Sequence, residues 1–125
     1  MEKFSFKKRI QSFGYAWTGM KGLISKEHNA WIHSVAAVTV VVMGSIFDIS
    51  RLEWALVIIC IGMVLAAEGF NTALERLVDL VSPERNPKAG EVKDIAAGAV
   101  LFTAIAAAFV GVLVFLPHIL QMLGR

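Results

Sequence analysis

Two long apolar segments without charged side chains constrain this chain more than any other feature. Ala30–Phe47 and Ile95–Leu116 contain no Lys, Arg, Asp or Glu. The hydrocarbon core of a bilayer is about 30 Å thick, so a helix that crosses it needs about 20 apolar residues. Hydrophobic residues make up 57% of the 125 residues, whereas soluble domains contain about 45–50%. The sequence therefore predicts one integral membrane domain, residues 1–125.

A third apolar run, Trp54–Ala67, is also uncharged but is too short to cross a bilayer alone. It completes a crossing only by continuing through Glu68, which carries acidic side chains into the membrane. Two X-Pro pairs, Ser82-Pro83 and Asn86-Pro87, predict a turn from Ser82 to about Gly90. We therefore expect an all-α membrane fold with an N-terminal amphipathic surface helix at 1–27 and three spanning helices at 30–47, 54–81 and 95–119.

Basic residues are unevenly distributed around these predicted spans. Six precede the first span and four lie at or after the end of the second, whereas the first loop contains only Arg51 and the C-terminus only Arg125. Lys and Arg in short flanking segments favour the cytoplasmic side of a membrane. This distribution predicts a cytoplasmic N-terminus, a cytoplasmic 82–94 loop and a C-terminus on the outside.

Residues 4–24 mix aromatic and aliphatic side chains with lysines. Such a mixture is typical of a helix that lies in the membrane interface with its lysines near the headgroups. A solvated N-terminal arm is the alternative. The tryptophans Trp17, Trp31 and Trp54 suit anchoring at the interface, and Trp17 and Trp31 could also flank a lipid.

The most informative segment is EGFNTALERLVD, residues Glu68–Asp79. At 100° per residue, Asn71, Glu75 and Asp79 lie within roughly 60° of Glu68, spread over about 16 Å. We call Glu68, Asn71, Glu75 and Asp79 the acidic face. A charged group at the centre of a span costs ~2.5–3.5 kcal/mol on insertion scales, so such residues normally face a partner or a cavity. The pattern favours a functional site.

Structural salt bridges to Arg76 or to lysines of other helices are the alternative explanation for the acidic face. Arg76 lies about 100° from Glu75 around the helix, which makes it a poor partner for the acidic face.

Two histidines are better explained as structural residues than as site residues. We expect His33 to be a hydrogen-bonded residue inside the bundle and His118 to have no special role.

Carboxylates stacked from the membrane interior toward its surface suit phosphoryl transfer. Mg²⁺ typically combines one or two carboxylates with substrate phosphates, and a deeper, less solvated carboxylate suits general-base catalysis. Arg85, Lys88 and Lys93 supply cations for an anionic nucleotide. The chain lacks a G-x-x-x-x-G-K-[ST] motif, which excludes a P-loop enzyme. Glu27 is either a second metal carboxylate or an ordinary interfacial charge.

Glu68–Asp79 fits the pattern E-x-x-N-[TS]-A-[IL]-E-x-x-V-D. Further matching segments are Ser12-Phe13-Gly14-Tyr15-Ala16-Trp17-x-Gly19, Glu27-x-Asn29, Ser82-Pro83-Glu84, and Lys93-Asp94 with the following Ala96-Ala97-Gly98-Ala99-Val100. On these motifs the chain resembles the prokaryotic diacylglycerol kinase family, whose members include undecaprenol kinases. The resemblance covers nearly the whole chain.

The resemblance implies a kinase of the bacterial inner membrane that transfers the γ-phosphoryl group of ATP to a lipid hydroxyl. The acceptor would be undecaprenol or diacylglycerol, in phospholipid or cell-envelope lipid-carrier metabolism. Glu68 would be the catalytic base, and Glu27 and Glu75 would hold Mg²⁺. The implied nucleotide contacts are Tyr15, Glu27, Glu75, Glu84, Arg85, Asn86, Lys93 and Asp94.

The resemblance also implies a homotrimer with active sites at the subunit boundaries. The residues expected near the lipid substrate are Lys8, Ser12, Trp17, Trp31, Glu68 and Asn71. The family tends to have Arg where this chain has Lys8, with Arg9 next to it. Because lysine cannot make the bidentate phosphate contact of arginine, Lys8 is expected to contact either nucleotide or lipid.

A non-enzymatic membrane protein that handles protons or cations is the rival hypothesis, since intramembrane acids also mark ion pathways. The cytoplasmic set Glu84–Asn86, Lys93 and Asp94 favours a kinase because an ion path does not need it. Within the kinase hypothesis, the proline-containing loop resembles the undecaprenol-kinase branch of the family more than the diacylglycerol branch, which implies undecaprenol as the acceptor. We expect no nucleic-acid partner.

Overall fold

The computed structural model describes residues 1–124; Arg125, which entered the charge argument, lies outside the described residues. The described chain folds into four α-helices and contains no strand. These are α1 (Phe6–Lys26), α2 (His28–Phe47), α3 (Arg51–Val81) and α4 (Pro87–Met122). α2, α3 and α4 are long and apolar enough to cross a membrane. The predicted all-α membrane fold is confirmed.

α1 begins after Ser5, whose side chain accepts a hydrogen bond from the backbone N–H of Lys8. None of its residues is buried, so its aromatic side chains are free to meet lipid. Glu27 has extended backbone angles and separates α1 from α2. The location of this helix at the membrane interface stays a prediction.

A tight connection joins α2 to α3. Asp48 adopts a left-handed conformation with φ of 49°, and the Ser50 and Glu53 side chains cap the first turn of α3 reciprocally. Gly44 lies directly against Trp54, because a Cβ at position 44 would lie 2.7 Å from the indole ring. Trp54 is therefore half-buried against α2 rather than free at the interface.

The predicted turn from Ser82 to about Gly90 is too long, because α4 already begins at Pro87. Asn86 caps the helix by accepting a hydrogen bond from the Lys88 N–H at 2.9 Å, and Pro87 occupies its first turn. Proline is tolerated there because the first N–H groups of a helix have no intrahelical partner. Pro87 therefore begins α4 instead of breaking it, and the helix starts well before the predicted span at 95–119. The loop is confined to the residues between Val81 and Pro87.

The buried apolar core lies at the end of the bundle that holds the α2–α3 connection. Ile49, Val57, Val114 and Phe115 form its centre, and α3 and α4 are the most extensively packed pair of helices. At the same end, His118 Nε2 lies 3.0 Å from Glu53 Oε2, linking α4 to α3. His118 thus has a structural partner that its sequence context did not suggest. This packing leaves the opposite end of α3 to the polar residues.

Candidate active site

The buried polar residues of the described chain all lie on α3. Glu68, Asn71 and Thr72 are 3%, 6% and 9% exposed. Helical spacing places them on one face, which continues the line of Val57 and Val64 toward the C-terminal end of α3. The predicted acidic face therefore points into the bundle at Glu68 and Asn71 and becomes accessible at Glu75 and Asp79.

Glu68 contacts a histidine from the neighbouring helix. His33 Nε2 of α2 lies 3.1 Å from Glu68 Oε1. The His33 side chain is 23% exposed and that of Glu68 is 3% exposed, so little water screens the pair. His33 does lie inside the bundle as expected, but its partner is the residue predicted to be the catalytic base.

Asn71 and Glu75 form the next step along the acidic face. Asn71 Nδ2 donates a hydrogen bond to Glu75 Oε1 at 3.2 Å. The other amide atom, Asn71 Oδ1, is buried and has no partner among the described residues, as is Ser34 Oγ on α2. A buried oxygen without a partner costs free energy, and this one is an acceptor beside a predicted metal carboxylate.

Glu27 contacts Arg76 rather than another acidic residue. Arg76 Nη2 donates a 2.7 Å hydrogen bond to Glu27 Oε1 across the junction of α1 and α2. Arg76 does lie off the acidic face, as its helical angle predicts, and no residue of that face pairs with it in residues 1–124. The guanidinium instead holds the second predicted metal carboxylate.

Asp79 pairs with Lys93 of α4 at 2.5 Å. Within residues 1–124, this contact is the one place where a lysine of another helix pairs with the acidic face, as the alternative of structural salt bridges expects. It also joins a residue of that face to a predicted nucleotide contact. The C-terminal end of α3 and the first turns of α4 are therefore held together by charge.

The other predicted nucleotide residues are more scattered within one chain. Glu84, Arg85 and Asp94 are exposed around the start of α4. Asn86 is also exposed, but its side chain caps that helix. Tyr15 is 76% exposed on α1, and no described contact joins it to this group.

Four of the residues predicted near the lipid are exposed on α1 and α2, whereas Glu68 and Asn71 are buried on α3. Lys8 pairs with Glu2 at 2.7 Å, and Ser12 Oγ donates a hydrogen bond to the Lys8 carbonyl. Trp17 and Trp31 are 62% and 60% exposed.

A groove of about 820 Å³ separates α1 from α3. Small residues open it on both sides, with Gly19 and Gly22 on α1 facing Gly62, Ala66 and Gly69 on α3. Its lining is mostly apolar and includes Lys26 and Arg76. An apolar chain with a polar head matches the polarity of such a groove.

Within residues 1–124, no cluster of three or more His, Cys, Asp or Glu side chains is arranged to hold a metal ion. Magnesium often needs fewer protein ligands because substrate phosphates and water supply the rest. Glu75, Glu27 and the unpartnered Asn71 Oδ1 are oxygen donors of the kind that Mg²⁺ prefers. This donor set fits magnesium bound together with a nucleotide.

His33 and Arg76 are the two site residues whose contacts the sequence did not reveal. The signal for His33 was its position, since an ionisable residue within a span is by default a candidate for function. No sequence feature predicted the pairing of Arg76 with Glu27, because that contact depends on how α1 and α2 pack against α3.

Comparison with known proteins identifies the family. The sequence matches the family described as prokaryotic diacylglycerol kinase over residues 14–115. It is 36% identical to the undecaprenol kinase of Bacillus subtilis, covering 88% of this chain and 89% of that protein. It is 37% identical to the diacylglycerol kinase of Synechocystis, covering 91% and 66%, and 27% identical to that of Escherichia coli, covering 90% and 93%. The chain belongs to the prokaryotic diacylglycerol kinase family.

Proposed function

We propose that this membrane lipid kinase transfers the γ-phosphoryl group of ATP to the hydroxyl of undecaprenol in preference to diacylglycerol. The observation that carries the proposal is the burial of Glu68, 3% exposed, at the interior end of a face that continues through Asn71 to Glu75. Such a face offers a base at the depth of a lipid hydroxyl and carboxylates at the depth of a nucleotide. The non-enzymatic alternative is not supported, because the chain belongs to a kinase family.

Glu68 acts as the general base in the proposed reaction. The lipid hydroxyl oxygen attacks the γ-phosphorus, its proton passes to the Glu68 carboxylate, and the bond to the β–γ bridging oxygen breaks to release ADP. Phosphoryl transfer depends mainly on positioning and on electrostatic stabilisation. The packing of Glu68 between α2 and α3 keeps bulk water away from the proton acceptor.

Glu27 and Glu75 would hold the magnesium ion, which would supply positive charge to neutralise the phosphates of ATP. Glu75 is already oriented by Asn71, whereas one oxygen of Glu27, Oε1, contacts Arg76.

The nucleotide contacts lie at the cytoplasmic ends of α3 and α4. We assign Glu84, Arg85, Asn86, Lys93 and Asp94 to this group, with Tyr15 contributed from α1. Lys93 is tied to Asp79, and both Glu84 and Arg85 are exposed to ligand. Because the basic segments predict that this end is cytoplasmic, ATP would reach it from the cytoplasm of a bacterial cell, with the protein in the inner membrane.

The lipid tail occupies the groove between α1 and α3, whose lining includes Gly69 and Thr72, the sequence neighbours of Glu68 and Asn71. Lys8, Ser12, Trp17 and Trp31 lie on the exposed surfaces through which a lipid would arrive. Many apolar side chains of the single chain remain exposed, which leaves surface for both lipid and further copies. We propose a homotrimer in which neighbouring copies complete each site.

The acceptor preference rests on the proline-containing loop at residues 82–87. It is also supported by the similarity to the undecaprenol kinase of Bacillus subtilis, which extends over 89% of that protein. The test is phosphorylation of undecaprenol and of diacylglycerol, side by side, by the purified protein in mixed micelles with radiolabelled ATP and Mg²⁺. We expect a higher kcat/KM with undecaprenol. A higher value with diacylglycerol would reverse the assignment, and no transfer to either lipid would contradict the kinase mechanism.

A further inference from the structure

His33 is the only polar partner of Glu68 in the described part of the chain. Its Nε2 lies 3.1 Å from Glu68 Oε1, and the two residues come from different helices. Glu68 is too deeply buried to be solvated well, and a buried carboxylate needs a polar partner to offset its lost hydration. The sequence supplies an imidazole at that position, in an otherwise uncharged span.

The choice of histidine matters because two other carboxylates of the site, Glu27 and Asp79, pair with permanent cations, and Glu75 pairs with the Asn71 amide. Arg76 holds Glu27 and Lys93 holds Asp79. A guanidinium beside Glu68 would lock the carboxylate in a strong, bidentate ion pair. An imidazole whose Nε2 lies 3.1 Å from Oε1 instead contacts one oxygen of the carboxylate, which leaves Oε2 for a substrate hydroxyl.

We propose that His33 is a positioning residue for Glu68, which fixes the carboxylate orientation through Oε1 so that Oε2 meets the lipid hydroxyl. The inference rests on the proposed function, since it takes Glu68 to be the base. His33 contacts neither nucleotide nor phosphate in this account. Its loss therefore lowers the rate of the chemical step and leaves the binding of Mg²⁺–ATP unchanged.

The test compares two substitutions of the same residue. His33→Phe keeps a planar ring but removes the ring nitrogens, whereas His33→Gln places an amide N–H near the position of Nε2. We expect His33→Phe to lower kcat by roughly 10- to 100-fold, the range expected for misplacement of a catalytic group, with the KM for ATP unchanged. We expect His33→Gln to recover most of the wild-type kcat.

The chain offers a matched control at the other end of the bundle. His118 also contacts a glutamate, Glu53, at 3.0 Å between Nε2 and Oε2, but it lies beside the apolar core far from the acidic face. We expect His118→Phe to lower the thermal unfolding temperature and to leave kcat within about twofold, because that pair joins α3 to α4 only. His33→Leu replaces His33→Phe if the larger ring prevents folding.

The outcomes separate this inference from the function on which it rests. A loss of kcat in His33→Phe with recovery in His33→Gln supports the positioning role. If Glu68→Gln is inactive while His33→Phe and His33→Leu keep full kcat, the inference is wrong and the proposed function stands. The inference is also wrong if His33→Phe and His33→Gln lower kcat equally and lower the thermal unfolding temperature to a matching extent. If Glu68→Gln itself remains active, the proposed base is wrong.

Discussion

Arg76 and Glu27 are joined by a 2.7 Å hydrogen bond from Nη2 to Oε1, across the junction where α1 turns into α2. Arg76 is about two-thirds exposed and Glu27 about one-third. The contact places a permanent cation on a carboxylate that we propose as a magnesium ligand. Magnesium binding and this ion pair therefore compete for the same carboxylate.

We expect Arg76→Gln to lower the Mg²⁺ concentration needed for half-maximal activity. An exposed pair contributes up to about 1 kcal/mol, which corresponds to about a fivefold change in affinity. The measurement is a Mg²⁺ titration of lipid phosphorylation at saturating ATP. Arg51→Gln, which removes an exposed charge at the other end of α3, is the control. A higher Mg²⁺ requirement in Arg76→Gln would show that the arginine assists binding instead of competing.

We expect Glu75→Gln to abolish lipid phosphorylation, because the amide cannot supply the charge of a metal carboxylate. The variant should still insert into the membrane, since Glu75 is only partly buried and its contact with Asn71 can be kept by an amide oxygen. Phosphate transfer and membrane fractionation are measured on the same preparation. Asp48→Asn, in the α2–α3 connection, makes the same change of group and should keep its activity. Near-full activity of Glu75→Gln would remove this residue from the metal site.

Substitutions of Asn86 distinguish a structural role of this residue in capping α4 from a role in contacting the nucleotide. Its side chain caps α4, and loss of such a cap costs about 0.5–2 kcal/mol. We expect Asn86→Ala to lower both thermal stability and the affinity for ATP, and Asn86→Ser to restore the stability because serine also caps helices. Circular dichroism melting and the KM for ATP are compared. If serine restores the KM as well, the cap explains the whole effect and Asn86 does not contact nucleotide.

Gly44→Ala tests the packing at the far end of the bundle. The added Cβ would lie 2.7 Å and 2.9 Å from two ring atoms of Trp54 and 3.1 Å from Ile49 Cδ1, so the indole must move. Overpacking of this kind costs about 1–3 kcal/mol, and we expect a lower melting temperature. Gly90→Ala is the control, because a Cβ at position 90 would meet no neighbouring side chain within 4 Å and alanine favours a helix. An unchanged melting temperature for Gly44→Ala would show that this end packs loosely.

The membrane-spanning helices and the acidic face could be predicted from the sequence, because they depend on composition and on helical periodicity. Three segments were apolar enough to span a membrane, and the spacing of Glu68, Asn71 and Glu75 fixed their common face once α3 was a helix. Orientation of that face was also inferable, since burying Glu68 away from lipid is the cheaper arrangement. Family motifs then supplied candidate roles for the residues on it.

The contacts between helices could not be predicted in the same way. His33 and Glu68 are 35 positions apart, and their meeting depends on the rotation of α2 against α3, which an evenly apolar α2 does not encode. The start of α4 was misjudged for a local reason, because proline ends one helix and begins another equally well. Only the capping side chain of Asn86 distinguishes the two cases, and its geometry is visible in the structure.

The most direct test of the central claim compares wild type with Glu68→Gln in two assays. The first measures γ-phosphoryl transfer from ATP to undecaprenol, and the second measures thermal stabilisation of the protein by Mg²⁺–ATP. We predict that Glu68→Gln loses transfer by at least about 100-fold, as expected for a general base, while it keeps the stabilisation seen in wild type. Transfer at the wild-type rate by Glu68→Gln would contradict a catalytic role for the buried end of the acidic face.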